Sequence, residues 1–462
     1  MNERPFHLGV DYGTSTSKLV LRDYGSLGGA KSFVVGTSEQ FRIPSGLRCL
    51  DGYVFLSELL QDHAPGERYE SLKMRVAEEA LGMSEGFHYG PRPNFPTGFS
   101  ATDFAILTVW WLLSIGYRAA CELTYASGGG DIIMGATVGI PMSFYDNERI
   151  CDRFLSIAKT AWRLYSKIGP LQTECSIELT RLKMLLDSHR DMSVPRDRTN
   201  LKEWIRSETE AAMWWAFSSP TIADGPFAQV DIGAGTTNVS MFRIYSEGGV
   251  RKHGLAFFAS CSEPAGMDAI DDQIASRIEG NIKSFSLRGR EEQLIGSQRM
   301  KVDIQNFVKD KLWEAYRKAW ITTSRNINGW AAETSAWRLH RVILVGGGSL
   351  IPTINSCIAT HPGTRNSLAI QQLAIPQDLY FLPERPAPQS LVQGLAKLVG
   401  LGRTRPLINP ATTATLPFLA TAYGLANRSL AIPPAIPPNE LPPMPSVKAS
   451  RSRPTAEDLY PK

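Results

Sequence analysis

A chain of 462 residues is long enough for two to four domains at the usual ~100–200 residues each. With 43% hydrophobic and 20% charged residues it can bury a sizeable core, which excludes wholesale disorder. The net charge is +4, from 49 Lys and Arg against 45 Asp and Glu, with no dense basic block, so nothing indicates nucleic acid.

Six cysteines (Cys49, Cys121, Cys151, Cys175, Cys261, Cys357) are scattered without a CxxC pair, and seven histidines form no ligand-like spacing with them. Neither a soft-ligand metal site nor a disulfide framework is expected, and a reducing compartment fits. The opening residues lack the apolar stretch of a secretory leader. The most apolar run, Phe104 to Ile115, falls short of the ~18–20 residues that cross a bilayer, which predicts a buried helix and no membrane contact. A cytoplasmic protein is expected.

In chain order, Phe6, Leu8 and Val10 lead into Asp11-Tyr12-Gly13-Thr14-Ser15-Thr16-Ser17-Lys18 and out through Leu19-Val20-Leu21. This predicts a β-hairpin whose turn is rich in small polar residues. Short strands are predicted over 41–56, an apolar helix over 99–124, and a buried strand from Met134 to Ile140 ending at Pro141. Helical patterning covers 147–168 and 176–217, broken by a charged loop from Asp187 to Arg198. At Phe227-Ala228-Gln229-Val230 the opening pattern returns, running into Asp231-Ile232-Gly233-Ala234-Gly235-Thr236-Thr237-Asn238-Val239. The two aspartates lie 220 residues apart, the period of a duplicated domain and not of a solenoid.

Helices are predicted at 266–282 and 300–323. The strand Arg341 to Val345 then meets Gly346-Gly347-Gly348-Ser349, with Ile351-Pro352 opening another helix and a last helix at about 388–400. The Ala- and Thr-rich stretch 410–430 is left open, with docking on the body as one option. Nine of 30 prolines fall between Pro433 and Lys462, so that tail is expected to be extended or disordered. The alternation of elements argues α/β layers. Trp110-Trp111 and Trp214-Trp215 read as core and interface packing.

The first turn carries chemistry. A carboxylate at a strand end is well placed to hold Mg²⁺ through water, while small residues offer N–H groups and hydroxyls to phosphate oxygens. Lys18 adds a point charge. Alone, such a turn is equally a plain hairpin. Two of them, each fed by an apolar strand, look like two jaws closing on one polyphosphate. Gly346 to Ser349 would let a flat ligand or phosphate approach the backbone.

In this order the three motifs resemble the actin, Hsp70 and sugar-kinase superfamily of two-lobed ATPases, over roughly residues 5–402. Asp11-x-Gly13-Thr14 resembles the first phosphate motif, Asp231 to Thr237 the second, and Leu344-Val345-Gly346-Gly347-Gly348 the adenosine motif. The resemblance implies an RNase-H-like core in each lobe, with Mg-ATP in the interlobe cleft. Segments around Ile43-Pro44-Ser45, Val54 to Glu58, Tyr69 to Lys73 and Thr137 to Asp146 are similar to Hsp70. So are Glu208 to Ala212, resembling the first connecting helix, Gly266-Met267-Asp268, and Gln393 to Ala396, resembling the second connecting helix.

The implied division is lobe I over 1–218, lobe II over 219–386 and the second connecting helix over 387–402. A C-terminal extension covers 403–432 and a Pro-rich flexible tail 433–462. Asp11 and Asp231 would hold Mg²⁺, mostly through water, and Asp231 or Glu208 would orient the attacking water. Gly13, Thr14, Ser15, Gly233, Gly235, Thr236 and Thr237 would line the phosphates, with Lys18 and Lys73 supplying positive charge. Gly266, Gly346, Gly347, Gly348 and Ser349 would border the nucleoside.

There are departures. Asn238 stands where Hsp70 usually has Asp, and Glu208-Thr209-Glu210 leaves either carboxylate as the catalytic one. Only 60 residues follow position 402, too few for a peptide-binding domain. The implied function is an Hsp70-like ATPase that switches a protein partner or client with its nucleotide state. The alternative is an actin-like protein that self-assembles on ATP, and a third is a small-molecule kinase. Lys18, at the offset from Asp11 seen in actins, favours the filament; the segments at Pro44, Lys73 and Pro141 favour the switch.

Overall fold

The computed structural model describes residues 3–26, 29–36, 41–57, 65–83, 93–172, 174–190, 201–218, 225–247, 252–263, 266–267, 305–306, 308–327, 340–350, 358, 369–370, 376–382, 416–427 and 435–436. Alternating apolar residues build the first hairpin, β1 (Glu3–Asp11) and β2 (Thr16–Asp23), whose Phe6, Leu8 and Val10 are buried. It continues into β3 (Lys31–Val34) and the short strands β4 (Ile43–Pro44), β5 (Leu47–Leu50), β6 (Tyr53–Leu56) and β7 (Glu67–Tyr69). Helices α1 (Leu72–Leu81) and α2 (Ala101–Ala126) precede β8 (Asp131–Ile140), and α3 (Met142–Tyr145) and α4 (Glu148–Ile168) follow it. Then come β9 (Cys175–Glu178), α5 (Leu179–His189), α6 (Leu201–Trp204), β10 (Ile205–Ser207) and α7 (Glu208–Ser218).

The second half opens with β11 (Gly225–Ile232), β12 (Thr237–Glu247) and β13 (Lys252–Glu263). A π-helical turn at Val308–Leu312 leads into α8 (Trp313–Ile327), followed by β14 (Arg341–Val345), β15 (Ala369–Ile370) and β16 (Leu379–Phe381). Helix α9 (Leu416–Leu425) and the two-residue strand β17 (Ala435–Ile436) complete the described elements.

The protein is mixed α/β, and its two large sheets share one plan. The first runs β10-β8-β1-β2-β3-β16, with β4 beside β2; the second runs β15-β14-β11-β12-β13-β17. In each, a central strand lies antiparallel to the next (β1 with β2, β11 with β12) and parallel to a crossover strand on its other side (β8, β14). The outermost strands match too, since β16 is parallel to β3 and β17 is parallel to β13. The 220-residue recurrence in the sequence is therefore a recurrence of topology. A third, four-stranded sheet has the order β7-β5-β6-β9.

Several expectations are corrected. Helix α2 has 26 residues, so it is long and apolar enough to cross a membrane by composition, contrary to the length argument from the sequence. Burial is the better argument: Phe104, Trp110, Trp111 and Leu112 all lie in the core. Its start is set by Ser100, whose side chain accepts from Asp103 N while the Asp103 carboxylate accepts from Ser100 N. Of the stretch 176–217, β9 and β10 are strands and not helix. Ile177 and Ile205 are buried where these strands pair with β6 and β8, and that pairing overrides the helical periodicity. The helix predicted at 300–323 is described as Val308–Ile327. Apart from residues 266, 267 and 358, the helices predicted at 266–282, after Ile351 and at 387–402 lie outside the described residues.

Within 403–432, α9 docks between the two large sheets. Its Leu419, Ala422 and Tyr423 share one core with Val20 and Val34 of the first sheet, with Phe227, Phe242, Phe257 and Ile343 of the second, and with Ala212, Met213 and Trp215 of α7. Two glycines allow backbone contact there. A Cβ on Gly9 would lie 2.1 Å from the Ala422 carbonyl oxygen, and one on Gly424 would lie 1.7 Å from that of Ala211. Tyr423 donates to Asp378 at 2.7 Å, and Asp378 also pairs with Arg22 of β2. The tail is not free throughout: Ala435 and Ile436 pair with Leu255 and Ala256.

Gly424→Ala is expected to destabilise the fold by about 3 kcal/mol, since backbone atoms cannot yield as a flexible side chain would. Urea unfolding of this variant checks it, and a midpoint equal to wild type would contradict the α7–α9 contact.

Candidate functional site

Asp11 ends β1 and is buried; Lys18 lies directly across the hairpin, with Nζ 3.3 Å from Asp11 Oδ2. The turn is tight: Gly13 N donates to the Asp11 carbonyl at 3.0 Å, and a Cβ on Gly13 would lie 2.1 Å from Thr16 O. Ser15 is at the exposed tip, where its carbonyl accepts from Ser45 N at 2.9 Å.

The second turn is built alike. Asp231 pairs with Asn238 across the hairpin and with Val345 on the neighbouring strand. Gly233 N donates to Thr236 O at 2.9 Å, and Gly233 O accepts from Met267 N at 3.0 Å. Gly266 sits on this turn, where a Cβ would lie 2.2 Å from Ala234 O. Thr236 and Thr237 are buried. Asn238 accepts from Ser262 at 2.6 Å, so its side chain is committed within the sheet.

The third turn closes on the second. Gly346 has φ +80°, and a Cβ there would lie 2.3 Å from Asp231 Oδ1. A Cβ on Gly348 would lie 2.4 Å from Ile232 Cγ2, and one on Gly347 would lie 2.8 Å from Phe418 of α9. Ser349 is spent locally, donating to Gly346 O at 2.7 Å. The two hairpin turns also meet, since a Cβ on Gly235 would lie 2.9 Å from Thr14 Cγ2 and 3.7 Å from Met74 Cγ of α1. The fold thus brings all three glycine-containing turns to one place.

Lys73 and Glu208 complete the cluster. Lys73, near the start of α1, is buried and ion-paired with the buried Glu208 that opens α7. Lys73 is thus not a solvated surface lysine. Glu208 also feels Asp11 and Asp231, whereas Glu210 faces Arg206. The carboxylate that joins the two turns is therefore Glu208.

Burial pushes the Glu208 carboxyl up to about 7, with Asp11 and Asp231 adding to the rise and Lys73 opposing it. Asp231 is pushed up to about 6, first by burial and then by Asp11, against Lys73 and Lys18. Three carboxylates thus face two lysines, an arrangement that a divalent cation would relieve. Among the described residues, no three His, Cys, Asp or Glu side chains could ligate an ion together. Asp11 and Asp231 could hold a divalent cation only through its water, the way Mg²⁺ is commonly bound.

Sequence reasoning left α9 open and assigned it no place at the site, where its Phe418 lies against the Gly347 turn. The spacing of Ala420 and Gly424, small residues four apart, was the available signal for a close helix crossing.

A raised carboxyl favours the folded chain fully below its ordinary range and loses that contribution as pH rises through the folded value. Asp231→Asn should therefore melt higher than wild type at about pH 8, with the gap closing below about pH 4. Thermal unfolding across that range checks it; a gap independent of pH would contradict the charge cluster. Comparison with protein-family models and with curated proteins found no match to this chain in either.

Proposed function

We propose that this chain binds Mg-ATP between its two hairpin turns and hydrolyses it, acting as an Hsp70-like nucleotide switch on a protein partner. On this reading the repeated sheets are the two lobes of an actin/Hsp70-type ATPase with RNase-H-like cores, in the cytoplasm. The convergence of Asp11, Lys18, Lys73, Glu208 and Asp231 beside three glycine-containing turns is the observation that supports it most.

The chemistry required is modest: hold a phosphoryl group, orient a water in line, and balance developing charge. Bound Mg²⁺ would neutralise phosphate charge beside Asp11 and Asp231. The amides of both turns and Lys18 would hold the polyphosphate. Glu208, ionised and fixed by Lys73, would accept a hydrogen bond from the attacking water and aim it. The turn from Gly346 to Ser349 would give the nucleoside close access to backbone.

A filament remains the second reading, favoured by Tyr53 and Phe55, which project from β6 at 46% and 39% exposure with ring centroids 6.4 Å apart. Right-angle light scattering separates the two. A rise on adding Mg-ATP that decays as ATP is consumed supports assembly, and a flat trace supports the switch.

Asp11→Ala is expected to abolish Mg-ATP binding or turnover, and unchanged values for both would sink the assignment. Glu208→Gln should retain binding yet slow hydrolysis about 10²-fold or more. In the wild type, turnover should climb as pH rises through about 7, where Glu208 ionises. A flat pH profile, or a normal rate in Glu208→Gln, would remove Glu208 from the reaction.

A further inference from the structure

Consecutive residues at the start of α7 are tied to different halves of the molecule. Glu208 is ion-paired with Lys73 of α1, whose Leu72, Met74 and Val76 lie in the core beneath the first sheet. Glu210 faces Arg206 of β10, a strand of that same sheet, and Glu210 N donates to Ser207 Oγ at 3.4 Å. Thr209, between them, goes the other way. Its hydroxyl meets Ser240 Oγ of β12 at 3.2 Å, and Ser240 Oγ meets Ser260 Oγ of β13 at 3.1 Å. Thr209 and Ser240 are buried, so water is no ready substitute partner for either.

Strand register shows how near this tie lies to the second turn. Ser240 is across from Gln229 and Ser260, while Asn238, two residues nearer the turn, is across from Asp231 and Ser262. Residues two apart on a strand share a face, so the Thr209 contact sits one step, about 7 Å, from the row that carries Asp231. One step the other way is Phe242, which shares a core with Met213 and Trp215 of α7. The later turns of α7 thus join the second sheet through apolar side chains, and its first turn reaches that sheet through a hydroxyl.

Apolar contact has no direction and tolerates sliding, whereas a buried hydroxyl bond fixes distance and angle. Aiming a water in line needs that precision, since a misplacement of about 1 Å can cost two orders of magnitude in rate. A carboxylate tied to Lys73 alone would follow α1 and not the second turn.

We infer that Thr209 is a positioning residue for the proposed hydrolysis: through Ser240 and Ser260 it fixes the start of α7 on the second sheet, so that Glu208 keeps its place relative to Asp231 as well as to Lys73. The inference rests on the Mg-ATP reading above and adds to it a residue that acts only through Glu208. Its loss is felt in the rate of hydrolysis and not in affinity.

Thr209→Val keeps the branched shape and removes the hydroxyl. It is expected to lower kcat for Mg-ATP about tenfold while affinity by calorimetry stays at the wild-type value, and Thr209→Ser should restore kcat. Ser240→Ala should give the same drop, and the double variant Thr209→Val/Ser240→Ala no further one. A second measurement needs no nucleotide. In urea unfolding of the free protein, the double variant should lose less stability than the two single losses added together. Additive losses mean that the hydroxyls do not act as a pair, and overturn the inference. So does a normal kcat in Thr209→Val, a lowered one that Thr209→Ser does not restore, or a matching loss of affinity; the nucleotide reading then stands. Wild type without Mg-ATP turnover overturns both. Should Thr209→Val fail to fold, Ser240→Ala carries the test, with the same drop expected and a normal rate against it.

Discussion

A cation held against a buried carboxylate offsets part of the cost of keeping it charged. Lys73 does this for Glu208, and the pair links α1 to α7 across 135 residues of chain. Much of the site depends on that bridge. Asp11 and Asp231 stand near enough to disfavour ionisation of Glu208, so without Lys73 three carboxylates would face one lysine. The fold maintains this electrostatic tension in its interior, which is a poor design for stability alone and a reasonable one for receiving a cation with an anionic ligand.

Position comes from backbone contact. Gly9 and Gly424 let α9 lie directly on β1 and α7, and Gly346 lets the third turn close on Asp231. At each of these places a methyl group would collide with backbone or carboxylate atoms. Because the packing is so close, a shift of α7 or α9 would be felt at Glu208 and at the Gly346 turn together. On the proposed function, such a shift is how nucleotide state would reach a partner.

Much of this was legible in the sequence where local pattern and tertiary role agree. The hairpins at Asp11 and Asp231 alternate cleanly, and their turns demand small residues, so element and candidate chemistry could be read together. Elements whose shape is set by distant partners were read less well. Ile177 and Ile205 sit in helical-looking segments but are drawn into strands by β6 and β8. Helix α9 is apolar on all sides because sheets and helices surround it, so no amphipathic stripe marked it. Lys73 was named through the resemblance of its segment, but nothing local signalled its burial or its pairing with Glu208, which only the fold supplies.

The most direct test of one site built from three turns is amide hydrogen exchange with and without Mg-ATP. The account predicts simultaneous slowing of exchange in residues 11–18, 231–238 and 346–349, together with the start of α9 at 416–420. Protection confined to one of these turns, or to none of them, would contradict it.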